Sequence, residues 1–211
     1  MNTTFSKSAK FIVILGLTAS AALGLSACVP LLVAGAATSG AMIAFDRRSF
    51  GAQTEDQAIE MKGQSRLPEA VARAGGVSVT SFNRKVLLTG QVADEKAKLE
   101  SEAAMAKMES VASVHNELSI GSKVALGTST SDTTITGRVR ASLLEARDLQ
   151  SNAFKVVTET GVVYLMGLVT QREGDRAAQI AARVPGATRV VTVYQYLSED
   201  DLGRVERRAS R

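Results

Sequence analysis

Cys28 is the only cysteine in this 211-residue chain, and the residues around it suit one reaction. Ser26 and Ala27 lie directly before it and have the small side chains that a signal peptidase needs beside the bond it cleaves. A thiol is also the nucleophile that can form a thioether with a lipid. These residue types predict cleavage before Cys28 and lipidation of its side chain, so that Cys28 becomes the first residue of the mature chain.

The segment before Cys28 has the charge and hydropathy of an export signal. Lys7 and Lys10 give a basic start, and a run of 15 mostly apolar residues follows from 11 to 25. This run is short for a membrane-spanning helix and typical of a signal peptide. Together with the small residues before Cys28, it resembles a bacterial lipoprotein processing site. An ordinary signal anchor with an incidental buried cysteine is the alternative.

The residues after Cys28 bear on location. Lipoproteins that Gram-negative bacteria keep in the inner membrane carry aspartate at the next position, and Val29 stands there in this chain. The resemblance therefore implies a lipid-anchored protein of the outer membrane that faces the periplasm. Residues 29–45 form a second apolar stretch, rich in Gly and Ala and interrupted by Pro30. We expect this stretch to act as a tether, and a second membrane span is the alternative.

Charge and composition argue against nucleic acid as a partner. Of 25 Lys and Arg residues, Lys7 and Lys10 precede the cleavage site, so 23 remain against 21 Asp and Glu, a net charge of +2. An exported protein with so small an excess is not expected to bind nucleic acid. The chain is 45% hydrophobic with no Trp and 4% aromatic residues, which predicts cores built from Val, Leu, Ile and Ala.

The body of the chain is an internal repeat. Five positions recur 77 residues later, and they alternate as the inward positions of a half-buried strand do. The matching pairs are Val79 and Val156, Val86 and Val163, Leu88 and Leu165, Gly90 and Gly167, and Val92 and Val169. This pattern predicts two copies of one small domain.

Each copy is expected to contain a β-hairpin. Its first strand is Val77–Phe82 or Phe154–Glu159, and the chain turns back at 83–84 or 160–161. Asn83 and Gly161 are residue types that tolerate the positive φ of tight hairpin turns.

Helices flank each hairpin. In the helix that follows, matching residues are 76 positions apart and have the i, i+3, i+4, i+7 spacing of one apolar stripe. The pairs are Ser101 and Ala177, Ala104 and Ile180, Met105 and Ala181, and Met108 and Val184. A third strand, at 111–120 or 187–197, is predicted to run parallel to the second. The helix ahead of the hairpin is expected to begin at Asp56 or Asp132, where aspartate can cap the free N–H groups.

The fold class predicted from these elements is α+β, with two tandem α-β-β-α-β units, each a small three-stranded mixed sheet covered by two helices. The small, polar segment 121–131 is typical of a linker. The expected organisation is a signal peptide at 1–27, an acylated N terminus and apolar tether at 28–53, a first domain at 54–120, the linker at 121–131, a second domain at 132–197 and a charged tail at 198–211.

At this level of detail the chain resembles the BON domain family. The resemblance rests on the α-β-β-α-β repeat, on a Val-x-Leu-x-Gly-x-Val strand and on a Gly-(Val/Ala)-x-x-Val segment before the last strand. The segment Asp46-Arg47-Arg48-Ser49, ahead of Gly51, Gln53 and Asp56, supports it. A lipoprotein signal followed by two such domains is similar to outer-membrane lipoproteins of this family, which implies a role in envelope integrity and localisation at the division site.

The resemblance also implies that the helix opening the second domain binds anionic phospholipid. Its spacing puts Ile135, Val139 and Leu143 on the inward stripe, with Thr134, Arg138 and Leu144 on another face. The candidate lipid-binding residues are Thr134, Ile135, Arg138 and Leu144. Thr134 replaces an aromatic anchor of the family, which implies weaker contact or a shift to Ile135, Leu144 and the arginines of the tail. Packing of Leu144 against the other domain or the loop after the helix is the alternative.

No set of residues in the sequence suits catalysis. His115 is the only histidine, so a Ser-His-Asp or Cys-His arrangement and a histidine zinc site are both missing, and we expect it to be an exposed strand residue. Gly75-Gly76 is not followed by the Lys and Ser/Thr of a phosphate loop, and Glu199-Asp200-Asp201 lacks the spacing of a calcium loop. We therefore expect no enzyme, cofactor or metal. The alternative function is a periplasmic adaptor for an outer-membrane assembly or peptidoglycan-remodelling complex.

Overall fold

The computed structural model describes residues 46–121 and 126–209. Cys28, the predicted signal peptide and the apolar tether at 29–45 lie outside the described residues, and their assignments stay predictions. None of the helices in the described part of the chain combines the length and hydropathy that crossing a bilayer requires. Residues 44–211 form one compact unit, which contains both repeats.

The first repeat forms a small mixed sheet with helices beside it. Its elements are α1 (Phe50–Arg66), α2 (Glu69–Ala74), β1 (Val77–Phe82), β2 (Lys85–Val92), α3 (Glu95–Ala106), β3 (Ser113–Asn116) and β4 (Ser119–Ile120). Strand β2 is central, antiparallel to β1 and parallel to β3 and β4. The predicted third strand is thus interrupted at Glu117 and Leu118, where the Leu118 side chain enters the core.

The second repeat has the same topology. Its elements are α4 (Leu126–Glu145), a 3₁₀ turn (Ser151–Ala153), β5 (Phe154–Glu159), β6 (Val162–Val169), α5 (Gln171–Ala182), β7 (Arg189–Tyr196) and, after the sheet, α6 (Glu199–Ala209). Strand β6 lies between antiparallel β5 and parallel β7. Val86 pairs with Val114 in the first sheet, and Val163 pairs with Val190 in the second. The predicted α+β fold with two α-β-β-α-β units is confirmed.

The two hairpin turns adopt the predicted positive-φ conformation. Asn83 and Arg84 have φ of 49° and 66°, and Thr160 and Gly161 have φ of 49° and 77°. Only glycine adopts this region without steric cost, so the other three residues need stabilising contacts from elsewhere in the fold.

Those contacts come from the two aspartates, and the predicted capping role of Asp56 and Asp132 is wrong. The Asp56 carboxylate accepts hydrogen bonds from the N–H groups of Asn83 (2.7 Å) and Arg84 (2.8 Å). Asp132 accepts equivalent bonds of 2.8 Å from Thr160 and Gly161. Each aspartate lies inside its helix and fastens the helix to the hairpin turn.

The helices also begin earlier than the sequence pattern indicates. The cap of α1 is Ser49, whose Oγ accepts a hydrogen bond from the Ala52 N–H at 3.2 Å. Helix α4 begins at Leu126, inside the predicted linker at 121–131. The predicted charged tail contains helix α6, and Leu202 of this helix is buried. The acidic run at 199–201 therefore forms a helix start, where negative charge is favourable.

Three apolar clusters hold the compact unit together. Each domain has its own core between sheet and helices, centred on Val86, Leu88 and Met105 in the first and on Val163, Leu165 and Ala181 in the second. A third cluster draws on both domains and contains Phe82, Leu87, Tyr164, Met166, Leu168 and Val193. Residues alternate between the two faces of a strand, so Leu87 points away from the core that receives Val86 and Leu88. One face of each sheet thus packs on the other domain.

Polar contacts surround this third cluster. The Lys155 Nζ atom lies 2.6 Å from Oε1 of Glu60 across the domain boundary. The Asn83 side chain donates a 2.6 Å hydrogen bond to Gln195, and the Lys85 ammonium donates a 2.8 Å bond to the Tyr194 carbonyl. These contacts fix the two sheets in one relative position.

Candidate functional site

Helix α4 presents a polar, basic outer surface. Its inward residues Ile135, Val139 and Leu143 are at most 3% exposed and pack on the second sheet. The exposed residues on the other side, from 129 to 144, are Ser129, Thr130, Ser131, Thr133, Thr134, Gly137, Arg138, Arg140, Ala141 and Leu144. Asp132 is the only acidic residue in this stretch, and it is buried against the hairpin turn. The exposed surface from 129 to 144 therefore carries two positive charges, and the exposed Glu145, the last residue of α4, follows it.

Three of the four predicted lipid-binding residues are exposed. The Thr134 hydroxyl donates a 3.1 Å hydrogen bond to the Thr130 carbonyl, and Arg138 donates a 3.3 Å bond to the Pro185 carbonyl. Leu144 is 73% exposed. Ile135 does not fit the predicted role, because only 3% of its surface is exposed and its side chain belongs to the core.

The structure groups Leu144 with a different arginine from the one predicted. At about 100° per residue, Leu144 lies roughly 120° around the helix from Arg138 but only about 40° from Arg140. Arg140 donates a 3.2 Å hydrogen bond to the Val156 carbonyl, which holds its side chain along the domain surface. The spacing of Arg140 and Leu144 by four residues is visible in the sequence and could have identified this pair.

Arg140 and Leu144 line a cavity of about 530 Å³ with residues of three other segments. These are Asp46, Arg48, Phe82, Ser151, Asn152, Phe154, Lys155 and Val156, and Leu143 of the same helix also lines the cavity. Phe82 and Phe154 contribute aromatic surface and Arg140 contributes positive charge, whereas Arg48 and Lys155 are paired with carboxylates. The cavity lies where the described chain begins, because Asp46 is both the first described residue and part of its lining.

Arg48 is held in this region by two carboxylates and a ring. Its guanidinium lies 2.7 Å from Asp46 and 2.6 Å from Asp56, and 4.1 Å from the centre of the Phe82 ring. Burial opposes the charged form, but the hydrogen bonds and charges of Asp46 and Asp56 outweigh it and raise the pKa of Arg48. The fixed charge therefore persists at any pH at which the protein is folded.

Arg47, the preceding residue, enters the second domain. It is 7% exposed, and its two terminal nitrogens each lie 2.8 Å from one oxygen of Glu173. It also donates hydrogen bonds of 3.1 Å to the Leu168 carbonyl and to the Gln150 side chain. The segment 46–49 belongs to the family pattern, but no local pattern identifies the partner of Arg47, because that partner lies in the other domain.

Glu173 has a second role at the start of helix α5. Its side chain accepts a 3.0 Å hydrogen bond from the Thr170 N–H, while the Thr170 hydroxyl accepts from the Glu173 N–H. This capping box satisfies two free N–H groups at the helix start. Burial favours the protonated form of Glu173, but the bonds from Arg47 and Thr170 prevail and hold its pKa below the usual range.

His115 is half-buried on strand β3 rather than exposed as expected. Burial and the nearby positive charge of Lys85 lower its pKa. In the ranges 46–121 and 126–209, no group of three His, Cys, Asp or Glu side chains is arranged to hold a metal ion.

Comparison with known proteins places both repeats in one family model. Residues 55–122 and 131–196 each match the BON domain. The outer membrane lipoprotein DolP of Haemophilus influenzae is 31% identical over 196 residues, which cover 92% of this chain and 99% of that protein. The 21 kDa hemolysin of Actinobacillus pleuropneumoniae is 30% identical over 154 residues, 72% of this chain and 79% of that protein.

Among solved structures, the chain is similar to the C-terminal domain of CdsD, a structural protein of the type III secretion system of Chlamydia trachomatis. The identity is 13%, the TM-score is 0.27, and the match covers 68% of this chain and 67% of that one. A likeness this slight supports no statement about function.

Proposed function

Because this chain belongs to the BON domain family and is an outer-membrane lipoprotein of that family, we propose that its second domain binds anionic phospholipid. One observation carries the proposal. Between residues 129 and 144 the outer surface of helix α4 combines Arg138, Arg140 and an exposed Leu144, and the only carboxylate in that stretch, on Asp132, is buried. The exposed Glu145 ends the helix. A basic helical face with an apolar side chain attracts anionic headgroups and lets the apolar group enter the interface.

The place where the chain enters the folded body supports a membrane contact through helix α4. Asp46 and Leu144 line the same cavity, so the chain that leads from the proposed lipid anchor at Cys28 joins the folded body beside the exposed leucine. The body of the protein then lies in the periplasm, next to the inner leaflet of the outer membrane.

Vesicle co-sedimentation tests the lipid claim. A soluble form spanning residues 44–211, the compact unit, is mixed with vesicles of phosphatidylcholine or of phosphatidylcholine with phosphatidylglycerol. We expect sedimentation only with the anionic vesicles, and its loss in Leu144→Glu and in Arg138→Gln with Arg140→Gln. Leu99→Glu is the matched control, because Leu99 is an exposed leucine on helix α3. Equal recovery with both vesicles would overturn the proposal.

The anchor itself needs a separate test. Intact-mass measurement of the protein extracted from membranes is expected to show a chain that starts at Cys28 and carries acyl groups, and palmitate labelling is expected to mark it. A full-length mass that includes Met1, with no label, would refute lipid anchoring. We further propose that the protein supports envelope integrity at the division site. A deletion strain is then more sensitive to detergent, and Leu144→Glu fails to restore resistance.

A second function, a protein-interaction adaptor, is favoured by one feature of the first domain. Phe50 and Met61 are 84% and 71% exposed, and they lie within about 20° of each other around helix α1. Each of these side chains can contact a partner protein that lies along this face of the helix. If this function holds, cross-linking in cells captures an envelope protein, and Phe50→Ser with Met61→Ser abolishes the capture.

A further inference from the structure

The first domain contains a pocket that the proposed lipid contact does not use. It lies between helix α1 and the turn that follows α3, and its volume is about 340 Å³. Its lining residues are Ala58, Ile59, Lys62, Arg66, Lys107, Met108, Glu109 and Ser110. Ile59 and Met108 are buried and form an apolar floor, whereas Lys62, Arg66 and Lys107 are exposed and form a basic rim.

The basic rim has an excess of unpaired positive charge. Lys62 and Arg66 are one helical turn apart, and Lys107 directly follows helix α3. Glu109 is the only carboxylate in the lining. Within the described part of the chain, none of the three basic side chains forms an ion pair, although other exposed pairs such as Arg73 with Glu69 do form. The pocket therefore presents a net positive charge to solvent.

The internal repeat relates this pocket to the proposed lipid face of the second domain. With the helix offset of 76 residues, Lys62 corresponds to Arg138 and Lys107 corresponds to Arg183. The backbone supports this alignment, because the N–H of Ala112 donates to the Arg84 carbonyl at 2.8 Å and the N–H of Thr188 donates to the Gly161 carbonyl at 2.8 Å. Both domains thus carry positive charge at two equivalent positions, beside the turn that follows α3 in the first domain and α5 in the second.

The two domains differ in what binds the carbonyl groups of that turn. In the second domain Arg138 donates to the Pro185 carbonyl. The corresponding carbonyl, of Glu109, instead accepts a 3.2 Å bond from Arg84, which also donates 2.7 Å to the Ser110 carbonyl. Gly161 occupies the place of Arg84 in the second hairpin and has no side chain to do this. Arg84 therefore provides the hydrogen bonds to these carbonyl groups in the first domain, so the Lys62 ammonium is not needed as their donor.

We propose that this first-domain pocket binds an anionic phosphate group. A guanidinium can hold phosphate through two parallel N–H bonds, and two ammonium groups add positive charge at close range. The phosphate is carried either by an anionic lipid headgroup or by a soluble phosphate compound. The inference goes beyond the lipid contact proposed above, since that contact concerns only the second domain.

Lysine reactivity in the full acylated chain tests the proposal. The protein is reconstituted in phosphatidylcholine nanodiscs, in nanodiscs that also contain phosphatidylglycerol, and in phosphatidylcholine nanodiscs with added inorganic phosphate. Acetylation rates are read for each lysine by mass spectrometry. Bound phosphate should slow the reaction of Lys62 and Lys107 about fivefold, the ratio that corresponds to the usual attraction of one basic residue to an anionic surface. Lys96 is the control, because its side chain is 82% exposed and lies outside the pocket.

Each outcome of this experiment supports or overturns phosphate binding in the pocket. Protection with phosphatidylglycerol identifies a lipid headgroup as the ligand, and protection with inorganic phosphate identifies a soluble one. Unchanged rates in both arms overturn the proposal, as does protection that survives in Arg66→Gln; Arg73→Gln is the matched control. Because the pocket lies in the first domain, we expect Arg138→Gln with Leu144→Glu to leave the protection of Lys62 and Lys107 intact. Loss of that protection would overturn the assignment of phosphate to the first-domain pocket.

Discussion

Arg47 and Glu173, 126 residues apart in the chain, form a buried ion pair with two parallel 2.8 Å contacts. The next residue, Arg48, pairs with Asp56 at 2.6 Å and lies against the Phe82 ring. Two consecutive arginines thus insert into different domains, Arg47 into the second and Arg48 into the first. The segment that connects the proposed tether to the folded body also connects the two domains to each other.

Removing one partner of this pair should destabilise the protein strongly. Arg47→Ala leaves the Glu173 carboxylate buried without its main partner, and such a change typically costs about 3 to 5 kcal/mol. Urea unfolding at neutral pH measures the loss. Arg73→Ala, in the exposed pair with Glu69, should change stability by less than about 1 kcal/mol.

The double variant Arg47→Met with Glu173→Met distinguishes loss of the pair from burial of an unpaired charge. Because replacement of a buried ion pair by apolar residues is often neutral, the double variant should be more stable than Arg47→Ala. If the double variant were the less stable of the two, the ion pair itself would be the main source of stability.

Acid should weaken the fold through Glu173 and Asp56. Burial alone raises the pKa of the Asp56 carboxyl, but hydrogen bonds from Arg84, Ser81 and Asn83 lower it overall. The pKa of Glu173 is also lowered. This stability is complete above the ordinary carboxyl pKa of about 4 and is lost as pH falls through the lower folded values. The free energy of unfolding, measured from neutral to acidic pH, should decrease once the pH is below about 4. The decrease should be less steep in Glu173→Gln.

The carboxylate of Asp132 should contribute more to stability than a helix cap. Asp132→Ala removes two charge-assisted hydrogen bonds to the turn at 160–161, and we expect a loss of about 3 kcal/mol. Asp94→Ala removes the N-cap of α3, whose Oδ1 accepts one bond from Ala97, and should cost about 1 kcal/mol. Thermal unfolding of the two variants compares these values, and equal losses would contradict the special role of Asp132.

Two glycines should respond in opposite directions to alanine. Gly90 has a φ of 115°, and a Cβ atom there would lie 1.8 Å from the Gly76 carbonyl oxygen. Gly90→Ala should therefore cost about 3 kcal/mol or more. Gly137 lies in helix α4 with no atom near its Cβ position, so Gly137→Ala should add about 1 kcal/mol. Denaturant unfolding measures both changes.

An aromatic residue at position 134 should strengthen vesicle binding. Thr134 is exposed, and a Trp there that buries about 60 Å² in the lipid interface would add about 1.5 kcal/mol, or about tenfold in affinity. Titration with anionic vesicles compares Thr134→Trp with Thr54→Trp. Thr54 is a suitable control because it is also exposed and its hydroxyl also bonds the carbonyl four residues earlier. An equal gain in both variants would argue against a specific role of helix α4.

Most of the fold could be predicted because its determinants are local. The strands Val77–Phe82 and Phe154–Glu159 have the predicted bounds, since alternation and turn residues act within a few positions. The sequence predicts too late a start for helix α4, because the polar Ser and Thr residues at 128–131 are typical of a linker. Contact with the hairpin, through Asp132, overrides that weak local preference.

The candidate site could be predicted only in part. Helical periodicity predicts that Thr134, Arg138 and Leu144 lie on the exposed side of α4, as the structure has them. The same periodicity turns Ile135 inward, so its predicted lipid contact is wrong. The third apolar cluster was not anticipated, because alternation along β6 shows that Met166 and Leu168 face opposite to Leu165 without showing what covers them.

The sequence by itself determined the duplicated domain, its strands and turns, and the predicted lipid attachment at Cys28, because each of these depends on residue types within a short stretch. Only the tertiary structure decided that Arg47 reaches Glu173, that Asp56 and Asp132 hold the hairpin turns, and that Leu144 lies beside Arg140 and the chain entry at Asp46. These contacts join residues far apart in the chain. Their geometry follows from how one sheet packs on the other, which no local pattern encodes.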